Sequence, residues 1–304
     1  MTSTLLQMAL IITTGAVWRI FQPAGLAAHY TRQVVTSVVY YLLLPALVLD
    51  VLWRANIGLH SLQYTLLGIA STIAAMASMW AIGRLFKFPP AQMGTVLLAA
   101  SFANVTFLGL PVLEQTFGAW VRSVVIQMDL FAIAPFLYTF GIVMARHYGT
   151  DALERPKYIG SFLNAPPFWA AFLAVVLNLN DLQAPSWFNG ALQKLAAAVV
   201  PLMLFSLGLA LNWQIVRIRQ WLYVVPVALI KLMFMPFFAL QLVAHLTLPA
   251  EYKAAAVLDL AMPSMLMGVV LCDRYHLDSG LYAILVSVTT ALSVLTLPFW
   301  YHMS

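Results

Sequence analysis

The 304-residue chain is 63% hydrophobic and 8% charged, with a formal net charge of +5. Soluble domains carry roughly 25% charged residues; 15 basic and 10 acidic residues cannot clothe a fold of this size in water, so its surface must face lipid. The thin spread of those charges excludes a nucleic-acid module, a disordered chain, a coiled coil and collagen, and the single Cys272 excludes a disulfide scaffold or a cysteine-rich metal site.

A helix crosses the hydrocarbon core with about 20 mostly apolar residues. In chain order such stretches run over 1–18, 33–49, 55–83 and 88–113, then 123–145 with Asp129 inside it. The second half repeats the spacing with 158–180, 195–216, 221–246 around Lys231, 254–272 around Asp259, and 279–304. The expectation is an all-α integral membrane protein of ten spans. Barrel strands would need period-2 alternation, which stretches such as 65–76 lack. Arg19 follows the first apolar run instead of preceding it, so the run reads as a retained span and not as a cleaved signal. Loops after odd-numbered spans hold ten Lys and Arg, and loops after even-numbered spans hold four. Basic loops stay on the cytoplasmic side, which places both termini outside.

The prolines carry a repeat. Pro45 and Pro201 are 156 residues apart, and Pro111 and Pro263 are 152 apart. Two five-span halves, 1–148 and 158–304, follow from that offset. An odd number of spans per half inverts the second copy, as in secondary transporters. A proline inside a span removes a backbone hydrogen bond and crowds the preceding turn. Unwound backbone at membrane depth survives only beside a cavity or within protein. The fourth span, with Ser101, Asn104, Thr106, Gly109 and Pro111, and the ninth, with Met262, Pro263 and Ser264, are therefore expected to break where they meet. Half-helix N-termini at such a point suit an anion; the alternative is a pair of kinks that only shape packing. Met265 and Met267 stand beside the second break, as packing or as the lining of a path.

The run Ser101-Phe102-Ala103-Asn104-Val105-Thr106-Phe107-Leu108-Gly109-Leu110-Pro111 resembles the fourth-span signature of the auxin efflux carrier family. The Leu44-Pro45-Ala46 of the second span, Pro201 with Ser206-Leu207-Gly208, Lys231 with Pro236, Met262-Pro263-Ser264 and the stretch from Ser287 to Pro298 extend the likeness over nearly the whole chain. The departure is Val105-Thr106, where a small or glycine-containing pair is usual. The resemblance implies a fold shared with bile-acid/sodium symporters. In it, spans 1, 2, 6 and 7 form a scaffold, and spans 3–5 with 8–10 form a mobile core whose crossover helices meet at the substrate. It also implies a small organic anion as cargo, and the short connection after span 5 matches a compact bacterial member, placed in the inner membrane.

Ionisable groups at membrane depth are functional candidates by default. Asp129, Lys231 and Asp259 are expected close together, with Lys231 pairing one of the carboxylates. Three readings stay open: a static ion pair, proton coupling through Asp129 or Asp259, and a sodium site drawing on Asn104, Gln127, Asp129 and Ser264. Asp50 and Glu114 read as solvated boundary residues, and Trp18, Trp53, Trp80, Trp221 and Trp300 as interfacial anchors. No His-Glu-x-x-His or Gly-x-Ser-x-Gly motif supports an intramembrane enzyme. A buried lysine in the eighth of ten spans does not match a retinal protein, and nothing marks a channel. The expectation is an alternating-access carrier of a small organic anion. Its partners are the cargo, the bilayer and H+ or Na+, with a homodimer open; it has no cofactor, metal or nucleic acid. Asn104 is expected to bind the cargo carboxylate, with the backbone around Pro111 and Pro263–Ser264 completing the cradle.

Overall fold

The structure is a computed structural model and describes residues 2–55, 58–149, 166–180, 182–210 and 218–304. Among these residues every regular element is helical, and the one extended feature is an isolated antiparallel bridge between Ala103 and Ser264. The principal helices are α1 Thr2–Phe21, α2 Ala28–Leu52, α3 Leu59–Leu85, α4 Pro90–Ser101, α5 Leu110–Phe117, α6 Val121–Tyr148 and α7 Pro166–Leu179. They continue with α8 Ser186–Ala197, α9 Val199–Ala210, α10 Trp221–Val243, α11 Ala250–Leu260, α12 Gly268–Arg274 and α13 Ser279–Met303.

Six described helices are long and apolar enough to cross a membrane: α2, α3, α6, the run Ser186–Ser206 through α8 into α9, α10 and α13. Leu10–Phe21 and α7 are shorter apolar helices. The expected spans 88–113 and 254–272 are each two helices, α4 with α5 and α11 with α12. The helix expected over 195–216 begins earlier, at Ser186. Positions 1, 56–57, 158–165 and 211–216 of the expected spans lie outside the described residues.

Burial follows membrane logic. Leu62, Leu66 and Ile73 of α3, Phe140 and Val143 of α6, Phe172 of α7, and Val294 and Leu295 of α13 point outward, a surface suited to lipid. At the centre, every residue of α4 from Met93 to Ser101 is buried. Small residues let backbones approach where α1 meets α9. A Cβ on Gly15 would collide with the Phe205 carbonyl, and one on Gly208 with the Ile12 carbonyl. Helices in lipid gain from such close packing. Arg19 donates to Leu209 O (3.1 Å) across the same pair. The C-terminal end of α2 is held to α7 by Asn178, whose amide donates to the carbonyls of Trp53 (2.8 Å) and Ala55 (2.9 Å), groups a helix end leaves unpaired.

Four prolines share a local device. Pro45, Pro111, Pro135 and Pro236 each follow a five-residue turn of π type: Val39–Leu43, Val105–Gly109, Asp129–Ile133 and Ile230–Phe234. A proline ring presses on the carbonyl of the preceding turn. Widening the helix just ahead of the ring relieves that contact, and such bulges turn side chains away from the α-helical pattern. A fifth wide turn, Leu137–Gly141, has no proline behind it.

Candidate functional site

The two interrupted spans meet at their breaks. α4 ends at Ser101, and the chain runs extended through Phe102. The Met265 amide donates to Phe102 O (3.0 Å), and the Asn104 amide donates to Pro263 O (2.9 Å), so Ala103 and Ser264 pair as a minimal two-stranded bridge. The first break therefore lies at Phe102–Asn104, upstream of Pro111. Pro111 lies six residues into the second half-helix, just behind the wide turn Val105–Gly109 that accommodates its ring, and the helix runs on through it to Phe117. Pro263 lies within the second break, as expected.

Backbone groups freed by the breaks are largely taken up inside the protein. The Ser264 hydroxyl donates to Ala99 O (2.7 Å), a carbonyl at the end of α4. The Ser264 amide donates to Thr289 Oγ1 (3.3 Å) on α13. Asn104 O accepts the amides of Leu108 (3.2 Å) and Gly109 (2.9 Å), and Tyr282 donates its phenol hydrogen to Met265 O (2.8 Å). The Lys231 ammonium donates to Leu260 O (3.2 Å), the last carbonyl of α11, and lies 2.8 Å from Met235 Sδ. A cation at a helix C-terminus is favourable both for the hydrogen bond and for the helix dipole. Expected pairing of Lys231 with Asp129 or Asp259 is thus not a direct contact: the freed carbonyl of Leu260 takes the ammonium instead.

Asp129 opens the wide turn of α6 and accepts the Thr106 hydroxyl at Oδ2. Its Oδ1 is buried without a partner. On the other side of the Val105–Gly109 turn lies Asp259, fully buried, with neither carboxylate oxygen partnered. A Cβ on Gly109 would collide with Asp259 Oδ1, so glycine is what lets the turn lie against the carboxylate. The charges of Lys231 and Asp259, and of Asp259 and Asp129, are near enough to act on one another.

A cavity of about 70 Å³ lies in front of this turn. Tyr40 and Leu44 of α2 and Phe168 of α7 wall one side; Thr106 and Phe107, Asp129 and Tyr138 of α6, and Met265 and Met267 wall the other. Among the described residues, Asp129 is the one charged residue lining it. Each polar side chain in the wall, Tyr40, Thr106, Asp129 and Tyr138, stands in a wide turn.

Of the residues singled out from the sequence, Thr106 and Asp129 face the cavity, joined by the flanking Met265 and Met267. Asn104, Ser101, Gly109, Pro111, Met262, Pro263 and Ser264 are not in its wall. Ser101 donates back to Leu97 O (2.7 Å) within α4, and the others build the crossing behind the wall. Lys231 and Asp259 are also behind it. Tyr40, Tyr138, Phe107 and Phe168 were not singled out; the available signal was a polar residue five or six positions ahead of a mid-span proline, as Tyr40 is to Pro45. Glu114 is not a free boundary residue: both its oxygens accept from Arg122, with Arg122 Nε 2.8 Å from Oε2, across the turn at Gly118. Asp50 pairs with Arg54 at 3.0 Å within one helical turn.

Residues 2–301 match the model of a family described as membrane transport protein. An uncharacterized transporter of Methanothermobacter thermautotrophicus is 27% identical over 304 residues, covering 98% of this chain and 97% of its own length. The uncharacterized transporter MJ1031 of Methanocaldococcus jannaschii is 23% identical over 96% of this chain and 94% of its own. The uncharacterized transporter YfdV of Escherichia coli K12 is 21% identical over 86% of this chain and 85% of its own. With a helical fold rich in apolar spans and a match from end to end, the chain belongs to the membrane transport protein family, that of the auxin efflux carriers.

Proposed function

We propose that this transporter is a secondary active carrier of a small organic anion, driven by protons. The observation that carries this reading is Asp129 as the only charge in the cavity wall among the described residues. A carboxylate cargo beside an ionised Asp129 meets a like charge in a poorly hydrated space, and two such carboxylates hold only if one is protonated. The unpartnered Oδ1 of Asp129 is the atom that would take the proton from the loading side. The resulting carboxyl group then donates to the cargo, while the hydroxyls of Tyr40, Tyr138 and Thr106 orient it. Release on the far side returns the proton to solvent. Cargo and proton therefore travel together, one of each.

Alternating access is the mechanism in keeping with where the cavity lies. We read ten spans in two inverted halves, 1–148 and 158–304, in an inner membrane with both termini outside. A scaffold of α1, α2, α7, α8 and α9 is drawn together by Gly15, Gly208 and Asn178. A core of α3–α6 and α10–α13 is joined by the Ala103–Ser264 bridge. Cavity residues come from both bodies, so movement of the core against α2 and α7 would close one entrance and open the other.

Proteoliposomes test this reading. Uptake of a carboxylate panel is expected to follow an imposed pH gradient and to carry protons with it, and the Asp129→Asn variant is expected to lose that proton movement. Uptake that ignores the pH gradient, or proton flux undiminished in Asp129→Asn, contradicts it. A sodium-coupled version is favoured by one separate observation, the unpartnered oxygens behind the wall.

A further inference from the structure

We infer that Arg19 and Arg32 together hold the phosphate of an anionic phospholipid where α1 turns into α2, at the far end of α2 from Asp50 and apart from the cargo cavity. The inference goes beyond the proposed cargo and stands whichever solute fills the cavity.

Three observations carry it. Arg32, in the second turn of α2, is half-buried, and its guanidinium has no hydrogen-bond acceptor and no carboxylate partner among the described residues. The charge that acts on it is that of Arg19, of the same sign. Arg19, in the last turn of α1, places Nη1 on Leu209 O (3.1 Å) at the end of α9 and finds no acceptor for the rest of its fork among those residues. α9 packs against both α1 and the first turns of α2, which holds the two arginines near each other. The turn between them is itself strained: Gln22 and Ala24 have φ of 41° and 58°, the left-handed region that suits glycine.

Like charges in a partly dehydrated place repel. A phosphate set between the two arginines turns that repulsion into two attractions, and a guanidinium fork matches two phosphate oxygens. The surroundings select a lipid as the source of the phosphate. Ile20 and Phe21 follow Arg19, and Tyr30 and Val34 flank Arg32 in sequence. All four are exposed, a surface for acyl chains and not for a free ion. Basic pockets between spans take anionic headgroups on the cytoplasmic side, the side on which the loop after the first span is expected.

Thermal unfolding of the purified protein in detergent tests the site, with phosphatidylglycerol, phosphatidylcholine or inorganic phosphate added at fixed ionic strength and pH. Because a ligand that binds only the folded state raises its stability, saturating phosphatidylglycerol is expected to raise the Tm by about 5 °C over phosphatidylcholine, with no such rise in inorganic phosphate. Arg32→Gln is expected to lose that difference and, rid of an unpaired charge, to be at least as stable as the wild type in phosphatidylcholine. Arg84→Gln, which removes an exposed arginine at the end of α3, is expected to keep the difference. Equal Tm in the two lipids, a rise matched by inorganic phosphate, or a difference undiminished in Arg32→Gln or lost in Arg84→Gln would each overturn the proposal. So would an Arg32→Gln protein that is destabilised in phosphatidylcholine or does not fold, because the guanidinium would then be satisfied within the protein.

Discussion

Ala103 and Ser264 stand opposite each other as an antiparallel pair, closed by hydrogen bonds of 2.9 and 3.0 Å on either side. This is where two interrupted membrane helices exchange their main-chain bonds. Ser264 adds a third link, from its hydroxyl to Ala99 O at 2.7 Å. Ser264→Ala removes that link and leaves a buried carbonyl at the end of α4 without its partner. A loss of about 1–3 kcal/mol in folding stability is expected, read as a lower Tm in detergent. Wild-type stability would mean that another donor reaches Ala99.

Lys231 is placed to test what a buried lysine does when it is not ion-paired. Lys231→Met keeps much of the side-chain volume and removes one charge and one hydrogen bond to Leu260. A cost of no more than about 2 kcal/mol is expected, that of one orphaned carbonyl. Breaking a direct ion pair with Asp259 would instead cost about 3–5 kcal/mol, and thermal or denaturant unfolding separates the two.

Close contact of α1 with α9 makes opposite predictions for two glycines. A methyl group at Gly208 collides with the Ile12 carbonyl, whereas one at Gly190 in α8 meets nothing within 4 Å. Gly208→Ala should cost about 1–3 kcal/mol as overpacked helices separate. Gly190→Ala should be neutral or stabilising by up to about 1 kcal/mol, since alanine is the better helix former. Equal Tm for the two variants would contradict this packing.

Thr106 is the one residue whose side chain donates to Asp129 among the described residues. Thr106→Val keeps the shape but leaves both carboxylate oxygens bare. Transport is expected to fall at least tenfold, and stability by about 1–3 kcal/mol. Thr106→Ser, which restores the hydroxyl, should recover most of both.

The helices were legible because a span must hide about 20 residues in hydrocarbon whatever its neighbours do. The breaks were half legible. Pro263 marks one directly, but Pro111 misdirects, since the wide turn Val105–Gly109 accommodates its ring within a continuing helix and the true interruption is nine residues before it, at Phe102. Asp129 and Thr106 were found because polar groups in an apolar span stand out. Tyr40 and Tyr138 were missed because a tyrosine amid leucines reads as packing, and only the wide turns reveal which way the phenols point. Partner choice for Lys231 was not legible: competition between the carboxylates and Leu260 O is settled by where α11 ends, which spacing alone does not fix.

In the proposed cycle a proton accompanies the anion at Asp129. Affinity for a carboxylate that binds the purified carrier, measured against pH, tests this directly. Where both cargo and free Asp129 are ionised, uptake of one proton on binding makes the affinity fall about tenfold for each unit rise in pH. Wild-type protein is expected to show that slope and Asp129→Asn to show none. An affinity that does not change with pH in the wild type, or an unchanged slope in Asp129→Asn, would contradict the account.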